Sequence, residues 1–335
     1  MKSLRLYGPG DLRLVDEDAP IAGAGEELVR VSAVGICGSD LHWYTDSGIG
    51  DAVLSRPLVL GHEAGGVIES GRRKGQRVAI DPNIPCEACE PCQAGHAHLC
   101  LAVRFAGDGK TDGTLREFIA WPQKCLIPVP DSLGDEDVAM LEPLGVALHA
   151  IKLGGVRPGM RVGVFGCGPI GLFLIQLARI SGATTIVATD VLPHRVAAAR
   201  AAGANVAELV AGGSERGPLL AATGGHGVDV AFEVAGEDDA LETSITLATP
   251  AGTVVVVGIP SKDQTTFTAS TARRKGLTIK LSRRMNRVYS DTIRLVAAGQ
   301  IDVRSVVTAS HPLGEFKDAY TAAAARQGLK VVLRP

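Results

Sequence analysis

Little in this chain is aromatic: Phe, Tyr and Trp together make up 4% of its 335 residues. Charge of one sign is also missing, because 34 Lys and Arg nearly balance 36 Asp and Glu for a net charge of −2. Such a balance leaves no electrostatic footprint for nucleic acid or for an anionic membrane. The opening MKSLRLYGPGDLRLVDEDAP holds no continuous apolar run and does not read as a signal peptide. The nearest approach to a membrane span, VGVFGCGPIGLFLIQLARI at 162–180, is interrupted by four glycines and a proline. Its pattern switches midway, so a buried strand, a turn and a helix explain it better. No internal repeat and no low-complexity tract breaks the chain. A soluble, cytoplasmic protein is expected, and in that compartment clustered cysteines bind metal more often than they form disulfides.

What is present points to an α/β protein. The length exceeds one hydrophobic core and suggests two domains. Hydrophobic residues at 46% and charged residues at 21% are globular proportions, and 41 glycines suit tight turns between strands and helices. Up to about residue 80 the chain reads as short strands. GPGD (8–11) between LRLY and LRLV marks a hairpin, ELVRVSAVG (27–35) and GGVIES (65–70) look like strands, and RRKGQ (72–76) is a charged turn before RVAI. This half is expected to be mostly antiparallel. After Pro158 the β-branched runs RVGVFG, TTIVATD, VAELV, VDVAFEV, TVVVVG and LTIKLS alternate with helical stretches. That alternation implies a parallel sheet buried on both faces. A helix near Val288–Ala298 and short strands follow; they have no place in the parallel sheet and are expected to return to the first domain.

GCGPIG (166–171) fits the dinucleotide fingerprint G-x-G-x-x-G, and it follows a strand and opens a helix. Gly166 allows the tight turn, Gly168 lets a pyrophosphate approach the backbone, and Gly171 lets helix and strand pack closely. Pro169 and Ile170 start the helix whose N-terminus would take the phosphates. Asp190 ends the next strand, where a carboxylate grips the ribose hydroxyls and repels a 2′-phosphate, favouring NAD over NADP. Arg195 is placed to cover the adenine or, alternatively, to pair with a phosphate. The competing explanation is a glycine turn and a helix-capping Asp.

Two metal sites are suggested. Cys86, Cys89, Cys92 and Cys100 supply a closed tetrahedral thiolate set suited to structural zinc, in a lobe at about 85–101. Disulfides or an iron–sulfur cluster are the alternatives; the first conflicts with the compartment and the second has no redox partner. His96 and His98, inside the same loop, are expected to face solvent. Cys37, His62 and Glu63 make a plausible three-ligand catalytic set, although by spacing alone a packed thiol and a surface pair are the more ordinary explanation.

At these residues the chain resembles the zinc-containing medium-chain dehydrogenases, and most of all their sorbitol (polyol) branch. The likeness runs through GICGSDLHWY, RPLVLGHEAGG, RVAIDP, PCEACEPCQAG, LEPLGVALHA, GCGPIG and ATD, in that order. It implies a GroES-like catalytic domain at 1–145 and 284–335 around a Rossmann NAD-binding domain at 146–283. It implies catalytic zinc on Cys37, His62 and Glu63, with Glu142 contacting the metal directly or through water. Ser39 would stand beside the substrate oxygen, His42 would be the outer member of a proton relay, and Phe105, Arg284 and Met285 would line the substrate cleft. Met285 stands where close relatives often carry Tyr, and Arg283 adds a second cation beside Arg284, a pair of which strand alternation would turn only one toward the cleft. The implied reaction oxidises a secondary hydroxyl of a polyol to a ketose with NAD, in a homotetramer or dimer. A sugar-acid (aldonate) dehydrogenase of the same family is the alternative. A zinc-free reductase or a non-enzymatic zinc module are readings from other classes.

Overall fold

Alternation in EELVRVSAVG buries Val29, Val31 and Ala33 while Arg30 stays exposed, and the segment forms the strand Glu26–Gly35. This strand is the hub of a seven-stranded sheet. It pairs antiparallel with Glu63–Ile68, with Phe118–Pro122 and, through Val34 and Gly35, with Lys330–Arg334. Beyond Glu63–Ile68 lie Arg77–Ile80 and Leu126–Pro128, and beyond Lys330–Arg334 lies Val307–Pro312. Only that last pairing is parallel within the sheet, among the described residues. The GPGD turn closes a hairpin through Gly8 and Asp11, and Gly75 N–H closes the RRKGQ turn on Ile68 O at 2.8 Å.

The computed structural model describes residues 1–260, 262 and 264–335. It divides into two units, Met1–Pro143 with Asn286–Pro335, and Leu144–Met285. The first holds the sheet just described, over a core that includes Leu4, Leu6, Val31, Leu58, Ile80 and Leu115. The segment after Ser282 forms the helix Tyr289–Ala297, whose Tyr289 hydroxyl donates to Ile80 O at 3.1 Å.

The second unit is a six-stranded parallel sheet. Its order is Val206–Leu209, Thr185–Asp190, Arg161–Phe165, Val228–Glu233, Ala248–Val256 and Thr278–Leu281. In chain order this is the doubly wound Rossmann arrangement, with its switch point between the first and fourth strands. Phe165, Val187, Ala231, Val254 and Ile245 pack the interior; each large apolar side chain so buried stabilises by about 2 kcal/mol. Burial on both faces holds for the inner strands but fails at Thr278–Leu281, all four of whose residues are exposed. The strand ends at Leu281, so alternation does not extend to the arginines that follow: Arg283 is exposed, Arg284 half-buried with a left-handed backbone (φ 54°), and Met285 buried.

Candidate active site

Three loop-to-element junctions of the first unit converge. Cys37 caps the N-terminus of the helix Gly38–Asp46, just past the end of the hub strand. Gly61, with φ 89°, turns the chain so that His62 precedes and Glu63 opens the strand Glu63–Ile68. The ligand atoms of Cys37, His62 and Glu63 lie within 4.8 Å of one another. Glu142 stands at the first turn of the helix Leu141–Gly154, buried at 4% exposure and within electrostatic reach of His62, Glu63 and Cys37.

Ser39 Oγ lies 3.4 Å from His62 Nε2. The Phe105 ring is centred 5.4 Å from the His62 ring. His42 sits one turn along the helix from Ser39, with Nδ1 3.5 Å from Asp46 Oδ2. Arg284 and Met285 belong to the other unit.

Two residues that spacing did not single out hold this arrangement. Asp40, fully buried, accepts Cys37 N–H at 2.9 Å and Gly61 N–H at 3.0 Å, and its Oδ1 lies 3.6 Å from His62 Nδ1. A carboxylate behind an imidazole orients the ring and leaves Nε2 for a metal. Its signal was readable, since an acid three residues after Cys37 is the pattern of a helix N-terminus. Lys330 donates to both Glu63 oxygens, at 2.8 and 2.7 Å, across 267 residues of sequence, and nothing local marked it.

The donor set favours a cation. Cys37, Asp40, Glu63 and Glu142 put four acidic groups within reach of the Lys330 ammonium, and all of them but the partly exposed Cys37 are buried. Burial, reinforced by the Glu63 charge, pushes the Cys37 thiol up to about 12, and burial pushes the Glu142 carboxyl up to about 8. A divalent metal held by thiolate, imidazole and carboxylate would relieve that excess, which is a zinc-like donor set.

The second cluster is closed. The sulfurs of Cys86, Cys89, Cys92 and Cys100 lie within 4.8 Å of one another, and all seven cysteines are free. Amide N–H groups point at the sulfurs: Cys86 N–H lies 3.2 Å from Cys100 Sγ and Cys89 N–H 3.4 Å from Cys86 Sγ. The amides of Ala88 and Cys89 draw the Cys86 thiol down to about 6. His96 is exposed, but His98 does not face solvent as expected. The 3₁₀ turn Ala97–Leu99 tucks Ala97 and His98 inward and turns Leu99 out.

In the second unit, Gly166 has φ 109°, and a Cβ there would lie 2.8 Å from Ala235 N. A Cβ on Gly171 would lie 2.0 Å from Gly166 O, so only glycine lets the helix Pro169–Ile180 start against the turn. At Gly168 a Cβ would meet only Arg195 Nη1, at 3.7 Å, which leaves the helix N-terminus approachable. Ile170 is half-buried. Asp190 Oδ2 accepts Cys167 N–H at 2.7 Å and Oδ1 accepts Leu192 N–H at 2.9 Å. A ribose would therefore use the carboxylate's remaining lone pairs.

Comparison with known proteins decides the family. The profile of the alcohol dehydrogenase GroES-like domain matches residues 23–131, and that of the zinc-binding dehydrogenases matches 169–298. Sorbitol dehydrogenase of Bacillus subtilis is 32% identical over 343 residues, covering 100% of this chain and 97% of its own. The chain belongs to the zinc-containing medium-chain dehydrogenases. Among solved structures, one described as a short chain alcohol dehydrogenase of Escherichia coli CFT073, in complex with NADH, is similar at 28% identity, with TM-score 0.91, covering 100% of this chain and 99% of that one. L-idonate 5-dehydrogenase of Escherichia coli is similar at 27% identity and TM-score 0.89, covering 100% and 98%. Among the described residues, no helix is long and apolar enough to cross a membrane.

Proposed function

We propose that the protein is a zinc-dependent polyol dehydrogenase that oxidises a secondary hydroxyl of a four- to six-carbon sugar alcohol to a ketose, with NAD as hydride acceptor. The observation that carries this reading is the convergence of Cys37, His62 and Glu63 beside a buried Glu142. The likeness to sorbitol dehydrogenase supports the substrate class. Met1–Pro143 with Asn286–Pro335 is the catalytic domain, and Leu144–Met285 binds the cofactor.

Cys37, His62 and Glu63, with Glu142 adjacent, would hold a zinc ion that would make a substrate hydroxyl more acidic. Ser39 Oγ, next to His62 Nε2, takes the hydroxyl proton and passes it outward toward His42. Bound NAD would supply the acceptor for the carbinol hydride, so that the secondary alcohol would end as a ketone. Gly166, Gly168 and Gly171 seat the pyrophosphate on the Pro169 helix, and Asp190 selects an unphosphorylated ribose. In the other cluster, Cys86, Cys89, Cys92 and Cys100 hold a structural zinc with no open position.

Free thiols throughout fit a reducing, cytoplasmic setting. The exposed edge Thr278–Leu281, with Leu281 78% exposed, fits a homo-oligomer built by strand pairing with a second copy.

An aldonate is the second reading, favoured by the adjacent Arg283 and Arg284 and by the likeness to an idonate dehydrogenase. Steady-state kinetics on sorbitol, xylitol, arabinitol and a matching aldonate, followed through NADH absorbance, test both. The polyols should be preferred. A preference for the acid that Arg283→Ala abolishes would replace the proposal, and turnover confined to primary aliphatic alcohols would sink both readings.

A further inference from the structure

We infer that Lys330 is a positioning residue that competes with the metal for Glu63 and thereby limits how tightly the open site holds zinc. This rests on the metal assignment proposed above.

The geometry begins at Gly35, the end of the hub strand. Glu63 is its partner across one edge and Val332 across the other. A Cβ on Gly35 would lie 2.1 Å from Glu63 Oε2, so glycine there makes the room in which carboxylate and ammonium meet. Lys330 Nζ has three N–H groups, and its bonds to Glu63 Oε1, Glu63 Oε2 and Ile36 O use all of them, at 2.8, 2.7 and 3.0 Å. The side chains are 5% and 1% exposed. Water therefore does not screen this pair, and removing one partner alone would strand a buried charge.

Lys330 bonds both carboxylate oxygens through which Glu63 would bind a metal, so an ion would have to use their remaining lone pairs. Lys330 hydrogen-bonds Glu63 directly and reaches Cys37 only through space, so among the described residues Glu63 is the ligand most directly withheld. Any metal that takes a Glu63 oxygen does so beside a fixed ammonium, and repulsion between the two cations in a dry site opposes binding. Two consequences follow for the enzyme. Without metal, Glu63 still has a partner and the sheet junction stays intact. With metal, Glu63 stays hydrogen-bonded to Lys330, so its hold on the ion is weaker than that of an unshared carboxylate.

The test uses the zinc-loaded, full-length protein and its Lys330→Met, Lys330→Arg and Lys330→Met/Glu63→Gln variants. The reading is the rate at which a chelator removes the open-site zinc, with Cys37→Ser identifying which zinc that is. Lys330→Met should release it more slowly by about tenfold or more, the scale on which outer partners move metal affinity. Lys330→Arg should release at the wild-type rate, and the double variant should lose the gain. With cobalt in the open site, the Lys330→Met spectrum should change while that of Lys330→Arg does not. Release from Lys330→Met at or above the wild-type rate, or an unaltered cobalt spectrum, overturns the inference. A Cys37→Ser protein that keeps its full zinc would instead overturn the metal assignment.

Discussion

Asp81 shows how a single carboxyl can tie stability to pH without touching substrate. It follows the strand Arg77–Ile80, half-buried, and its side chain accepts Asn83 N–H at 3.0 Å. Burial pushes its pKa from 3.8 up to about 6. An unfolded chain releases that proton at the lower value, so between those pH values the native state binds more protons. Stability therefore falls as pH rises through this window and stays lower above it. Asp81→Asn keeps an acceptor for Asn83 and removes the charge. It should stabilise at neutral pH by about 2 kcal/mol, a figure reduced for partial exposure, and by little near about pH 4. Thermal melts of both proteins at the two pH values check this; an equal gain at both would rule out the carboxylate as the cause.

The strand Thr278–Leu281 is an element left exposed along all four of its residues. Parallel strands are ordinarily covered on both faces, yet Leu281 is 78% exposed and Ile279 36%. Leu281→Arg places a charge on that edge, which discourages strand pairing. Light scattering should show the wild type as an oligomer and the variant shifted toward single chains; an unchanged mass would move the interface elsewhere. Elements also separate what the sequence disclosed from what it hid. The strand, turn and helix from Arg161 to Ile180 were legible because the glycine spacing, the β-branched run and the helical period coincide locally. The four thiols of the closed cluster were legible for the same reason, being set within one loop. Lys330 was not, because only the pairing of Val332 with Gly35 brings it to Glu63. The inward His98 and the exposed last strand were missed because each depends on neighbours that no local pattern encodes.

On the scale of the molecule, the two proposed zinc sites would divide activity from stability although both lie in the first unit. The Cys86, Cys89, Cys92 and Cys100 set offers four sulfurs, backed by amide N–H groups, and ties one loop to itself. A zinc held there would contribute folding free energy directly. The Cys37, His62 and Glu63 set offers three ligands, one of them shared with Lys330, and joins segments already fixed by the sheet. A chelator should therefore act in two stages. The first should abolish NAD reduction with little change in the melting temperature, and the second should lower that temperature as the remaining zinc leaves. Cys37→Ser should reproduce the first stage alone, folded and inactive with about one zinc per chain. Zinc counted against activity and melting temperature along a chelator titration checks both. If activity and thermal stability fell together with the first zinc removed, the division of labour between the two clusters would be wrong.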